Sequence, residues 1–140
     1  MTPTTPAPSV RRVVRASAGY DLLVTAGFAL PVTAPAVLAV AGRAHESLGL
    51  AGAVPHPDPF TVMFANLMGG LVVVWAVFRL LRPGAAAGAA DVAARAFFAL
   101  GMAAALTRGA SPLVGGVLVL EVAWAVVQAA VLVGSRRAHV

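Results

Sequence analysis

The 140-residue chain has no cysteine, which excludes disulfides, thiolate metal sites and the CxxC redox chemistry of some small membrane enzymes. It has no lysine either: all ten basic residues are arginine, a usage that together with abundant alanine fits a GC-rich bacterial genome. Charge is scarce, at 11% of residues against roughly a quarter in soluble domains. HExxH, a Ser/His/Asp constellation, a phosphate loop and a base-stacking platform are all missing, so classical hydrolase chemistry is unsupported. No cofactor is called for by any motif. The net charge of +5 is not a nucleic-acid footprint, because the arginines flank apolar runs instead of clustering on one polar surface.

What is present is grease. With 60% hydrophobic residues and a mean hydropathy of +0.91, the sequence belongs in a bilayer. A helix crossing about 30 Å of hydrocarbon needs roughly 20 apolar residues, and four stretches qualify, at about 20–42, 59–82, 89–107 and 112–133. The third is the weakest, since Asp91 and Arg95 occupy its first turns, four apart on one helix face where they can pair. Pro and Gly punctuate the connections. Residues 1–16, Thr/Pro-rich at their start, read as a disordered tail, 17–134 as the membrane domain, and 135–140 as a second tail.

Eight arginines (11, 12, 15, 79, 82, 95, 136 and 137) fall on the side of both termini, against Arg43 and Arg108 on the other. By the positive-inside rule both termini face the cytoplasm. The expectation is an all-α integral membrane protein of the bacterial inner membrane, a four-helix antiparallel bundle with cytoplasmic N and C termini. A cleaved signal peptide over residues 1–42 is the rival, but a 21-residue apolar run exceeds an ordinary h-region.

Within this apolar frame, polar residues are conspicuous. Glu121 lies roughly 2 Å from the middle of the last span, counting 1.5 Å per residue. A carboxylate there costs on the order of 3 kcal/mol, so it must face the interior. Trp124 and Gln128 follow on the same stripe. Asn66, on the second span, is the expected partner of Glu121, and Trp75 lies nearer the cytoplasm on the same helix. Asn66, Trp75, Glu121, Trp124 and Gln128 are therefore the ligand-binding candidates. Glu121 is the one candidate for acid–base or proton chemistry. Against this stands a structural role, in which Glu121, Asn66 and Gln128 are interhelical hydrogen-bonding glue.

A second group, Tyr20, Asp21, Arg79, Asp91 and Arg95, shares the depth of the cytoplasmic edge. Asp21 is expected to pair with Arg79 or Arg95, and an anion pocket on Arg79 and Arg95 is the functional alternative. In the outer loop His45, Glu46, His56 and Asp58 match no metal-ligand spacing, and no metal is expected. Asp58 followed by Pro59 reads as a helix N-cap. Pro31 and Pro35 should kink the first span; the kink either lines a cavity or, more simply, is passive, with Thr25 and Thr33 satisfying the freed groups. Gly69, Gly70, Gly115 and Gly116 suit close helix contacts, including self-association.

The order of "YDLLVTAGFALP", "DPFTVMFANLMGG", an arginine near the end of that helix and "LEVAWAVVQ" resembles small uncharacterised four-helix bacterial inner-membrane proteins over residues 17–134. In architecture it also resembles, loosely, the DoxX-type four-helix proteins. That likeness implies association with quinone-linked oxidoreductase complexes. Two functions follow as expectations. One is a binding or accessory protein that holds a lipophilic small molecule or docks a membrane-protein partner or a second copy. The other is an enzyme or proton-coupled carrier acting on a quinone- or isoprenoid-type substrate through Glu121.

Overall fold

The computed structural model describes residues 7–137, and they are helical almost throughout. Five helices follow in order: α1 Pro8–Thr25, α2 Ala34–Ser47, α3 Pro59–Leu81, α4 Ala85–Thr107 and α5 Leu113–Arg137. The last three, of 23, 23 and 25 residues, are each long and apolar enough to cross a membrane. They coincide with the second, third and fourth expected spans. The third is a full-length helix despite Asp91 and Arg95, because both side chains are buried inside the protein.

Burial is distributed as in a protein whose solvent is lipid. Among the described residues, nine buried side chains are polar or charged and eight are hydrophobic, while Leu23, Phe60, Leu71, Phe97 and Val119 stand on the exterior. An interior this polar and an exterior this apolar suit a bilayer, where no hydrophobic force drives helices together and polar contacts hold them.

Helix α1 begins earlier than the expected tail allows. Pro8 opens it, and Val10 and Val14, one turn apart, pack against Leu132 of α5. The buried set Val10, Val14, Ser17, Ala18 and Asp21 is one continuous stripe with helical spacing. It begins apolar and ends polar. Thus residues 8–16 are not a disordered tail but the first half of a packed helix. Residues 1–6 and 138–140, the remainder of the expected tails, lie outside the described residues.

The expected first span, 20–42, is broken instead of kinked. After Thr25 the chain makes a short 3-10 turn at Ala26–Phe28, and α2 starts only at Ala34. Pro31 and Pro35 each lack an N–H, and each ring would clash with the carbonyl four residues earlier in a continuous helix. The freed carbonyls are satisfied locally. Thr33 Oγ1 donates to the carbonyl of Gly27 at 2.6 Å, and Asn66 Nδ2 donates to that of Phe28 at 2.7 Å. Gly69 makes the second bond possible, since a Cβ there would stand 2.7 Å from the backbone of Phe28.

Helix α2 is tied to this break at its start and, through His45, to Ser111 at its end, with Nδ1 to Oγ 2.8 Å. It therefore bridges from the α1/α3 side to the α4–α5 turn. The following loop is strapped to that turn by Ala53, whose N–H donates to Gly109 O and whose carbonyl accepts from Ser111 N, both at 2.8 Å. Gly52 and Gly109 take left-handed φ values of 100° and 87° to permit it. Asp58 caps α3 as expected, accepting from Phe60 N at 2.9 Å and Thr61 N at 3.1 Å. The Thr61 hydroxyl and these amides hold its carboxyl below the ordinary aspartate range. Among the described residues no three metal-ligating side chains come together.

Helix α1 packs against α3, α4 and α5, and α4 packs closely along α5. By contrast α3 and α4, joined by only a short turn, hardly pack against each other. A seam is left between them.

Candidate functional site: a buried charge network beside an open seam

The polar end of the α1 stripe meets the other three long helices. From α1 come Ser17 and Asp21, from α3 Trp75 and Arg79, from α4 Asp91 and Arg95, and from α5 Glu121 and Gln128. The two groups distinguished in the sequence are thus one network. Asp21 pairs with both arginines, with Arg79 Nη2 on Oδ2 and Arg95 Nη2 on Oδ1 at 2.7 Å.

Arg95 is the hub. Its Nε donates to Asp91 Oδ2 at 3.1 Å, its Nη1 to Glu121 Oε2 at 2.5 Å, and its Nη2 to both Asp21 and Ser17 Oγ. One planar guanidinium therefore reaches all three carboxylates, a geometry that lysine cannot reproduce. Arg79 Nη1 reaches Ser17 Oγ at 2.9 Å and Asp91 Oδ2 at 2.7 Å. Gln128 Nε2 donates to Asp91 Oδ2 at 2.7 Å and also to Ser17 Oγ. The amide orientation follows from its neighbour, because a flip would set Oε1 against the Asp91 carboxylate.

Coordination of the acids is unequal. Asp91 accepts from Ser17, Arg79, Arg95 and Gln128 on one oxygen and from Trp75 Nε1, at 3.1 Å, on the other. Glu121 has Arg95 as its one donor. Three carboxylates face two guanidiniums, so the fully ionised network carries one negative charge in excess. Tyr20 and Trp124 cover the Glu121 end, their rings 5.8 Å apart, and the Arg95 guanidinium lies 5.8 Å from the Tyr20 ring. Among the described residues, three buried polar atoms have no protein partner: Tyr20 Oη, Arg79 Nε and Gln128 Oε1.

Asn66 is the exception among the sequence candidates. It does not pair with Glu121, because the break in the first span claims its amide and Arg95 takes the carboxylate. Arg79 and Arg95, counted as topology signals, are buried interior groups, each paired with carboxylates. Ser17 was not singled out from the sequence, although it lies one helical turn before Asp21. The Trp75–Asp91 bond was likewise unforeseen.

Beside the network lies an apolar space. The seam between α3 and α4 encloses a cavity of 430 Å³ lined by Leu71, Trp75, Ala90, Ala94 and Phe98, among others, and almost wholly apolar. Trp75 belongs to both places. Its ring forms part of the seam, the Arg79 guanidinium lies 5.7 Å from it, and its N–H is bonded to Asp91. No protein-family model matches the chain, and comparison with curated proteins and with solved structures finds no match either. Function is therefore argued from this geometry.

Proposed function

We propose that the protein is a multi-pass inner-membrane binding protein that holds a lipophilic small molecule in the α3–α4 seam, its polar end beside Trp75 and Asp91. In this reading α1 with the turn after it supplies a fourth crossing, and both termini are cytoplasmic. The observation that carries the reading is Trp75, a side chain shared between an apolar, laterally open cavity and a buried charge network. A cavity of this size with few convergent polar groups is the usual form of a small-molecule site. The almost wholly apolar lining suits a quinone- or isoprenoid-type occupant.

The test uses Trp124→Phe, which leaves Trp75 as the single tryptophan, in detergent micelles titrated with decylubiquinone. Saturable quenching that Ala94→Leu abolishes by filling the seam is the expected result. Quenching that rises linearly and is indifferent to Ala94→Leu would contradict it.

A second reading is favoured by the excess carboxylate: a proton-coupled carrier or enzyme in which Glu121, the least coordinated acid, takes up and releases the balancing proton. Glu121→Gln separates the two. It retains shape and hydrogen bonding, so decylubiquinone binding persists under the first reading, while any proton-linked transport or turnover disappears under the second.

A further inference from the structure

The break at Pro31 and Pro35 has a second product, at the end of the molecule remote from the described termini. Because α2 bridges from the α1/α3 side to the α4–α5 turn, it roofs a cavity of 710 Å³ and does not pack along α5. Leu38 and Ala41 of α2 line it, together with Phe28 below the break and Val114 and Val117 of α5. The buried His45–Ser111 bond holds the far end of the roof in place. A volume of this order takes one small organic molecule.

The walls also specify a charge. Arg108 is the one charged residue lining this cavity; it is exposed and makes no ion pair among the described residues. Leu113 and Val114, the first residues of α5, line the same space and bring the positive end of the helix dipole to it. No carboxylate lines it. An apolar chamber with a single unpaired guanidinium matches an amphiphile whose head is an anion.

We propose that this cavity binds a single-chain lipophilic anion, a long-chain carboxylate, with its tail among Phe28, Leu38 and Val117 and its head on Arg108. The site is separate from the α3–α4 seam and does not rest on the function proposed for it. Charge-assisted hydrogen bonding to Arg108, far stronger than the screened helix dipole at this exposed end, is what chiefly distinguishes the acid from an uncharged molecule of the same shape.

The experiment titrates the full chain in detergent with cis-parinaric acid and, in parallel, with its methyl ester, following probe fluorescence. The wild type is expected to bind the acid saturably and the ester roughly tenfold more weakly or worse, the span of a hydrogen bond to a charged group. Arg108→Gln, at an exposed position, should reduce the acid to the ester's affinity, and Ala94→Leu should leave both unchanged. Val117→Trp should remove binding of both by filling the chamber, with circular dichroism verifying the fold. Equal affinity for acid and ester, an unaffected Arg108→Gln variant, or no saturable binding to the wild type would each overturn the proposal. Loss of acid binding in Ala94→Leu would assign the probe to the seam and overturn it as well.

Discussion

Arg95 and Glu121 are opposite in their expected tolerance to change, although they are bonded to each other. Replacing Arg95 by Met leaves Asp21, Asp91 and Glu121 buried with Arg79 as the remaining cation. Removing one partner from a buried ion pair costs about 3–5 kcal/mol, because the other charge stays desolvated. Glu121→Gln removes the surplus carboxylate and keeps a carbonyl for Arg95 Nη1, so it should be neutral or stabilising by about 1 kcal/mol. Unfolding by sodium dodecyl sulfate in mixed micelles measures both. A Glu121→Gln variant as unstable as Arg95→Met would contradict the charge count. The sequence revealed that Glu121 must face inward and that Asp21, Arg79 and Arg95 share a depth. The expected pairing of Asp21 with Arg79 or Arg95 is present with both; that Glu121 joins them through Arg95 is what the sequence did not reveal. Depth along a helix can be counted from the sequence, but which faces are turned together depends on the rotation and register of α4 against α5, so the count set Arg95 with the cytoplasmic edge and gave Glu121 to Asn66.

At the scale of elements, the first of the expected spans differs most from what its residues suggested. Hydropathy sees residues 20–42 as one apolar run, and an apolar run says nothing about backbone continuity. Pro31 and Pro35 did signal a disturbance, yet whether a helix kinks or breaks depends on what receives the freed carbonyls. Here Asn66 and Thr33 receive them, and Gly69 lets α3 approach closely enough. Conversely, Val10 and Val14 carried the helical spacing of α1, but the Thr/Pro-rich start masked it. The glycine pair on α3 tests the arrangement. Gly69→Ala places a Cβ against the backbone of Phe28 and Ala29, whereas a Cβ at Gly70 meets open space. Overpacking of this kind costs about 1–3 kcal/mol. Gly69→Ala should therefore lower thermal stability in detergent while Gly70→Ala changes it little. Equal effects would show that α3 does not lean on the break.

On the scale of the whole molecule, the protein inverts the soluble plan, with a charged interior and an apolar exterior. Once Arg79 and Arg95 are recognised as interior, the exposed arginines are Arg11, Arg12, Arg15, Arg82, Arg136 and Arg137 on the terminal side against Arg43 and Arg108 on the other. The asymmetry is still the one that the proposed orientation, with both termini cytoplasmic, requires. The absence of native cysteine makes this testable by single substitutions. Ser47→Cys should react with an impermeant maleimide on intact cells and Ser135→Cys only after permeabilisation; the reverse pattern would invert the topology. Seen as a whole, a network tying α1 to α3, α4 and α5 leaves the α3–α4 seam open at the side, and the proposed function requires this seam to hold a lipophilic molecule. Native mass spectrometry of wild type and Ala94→Leu, extracted in the same mild detergent, tests it most directly. The expected result is a wild-type protein carrying one retained lipophile, and an Ala94→Leu protein of equal stability without it. A ligand-free wild-type monomer, or the same adduct on both proteins, would contradict it.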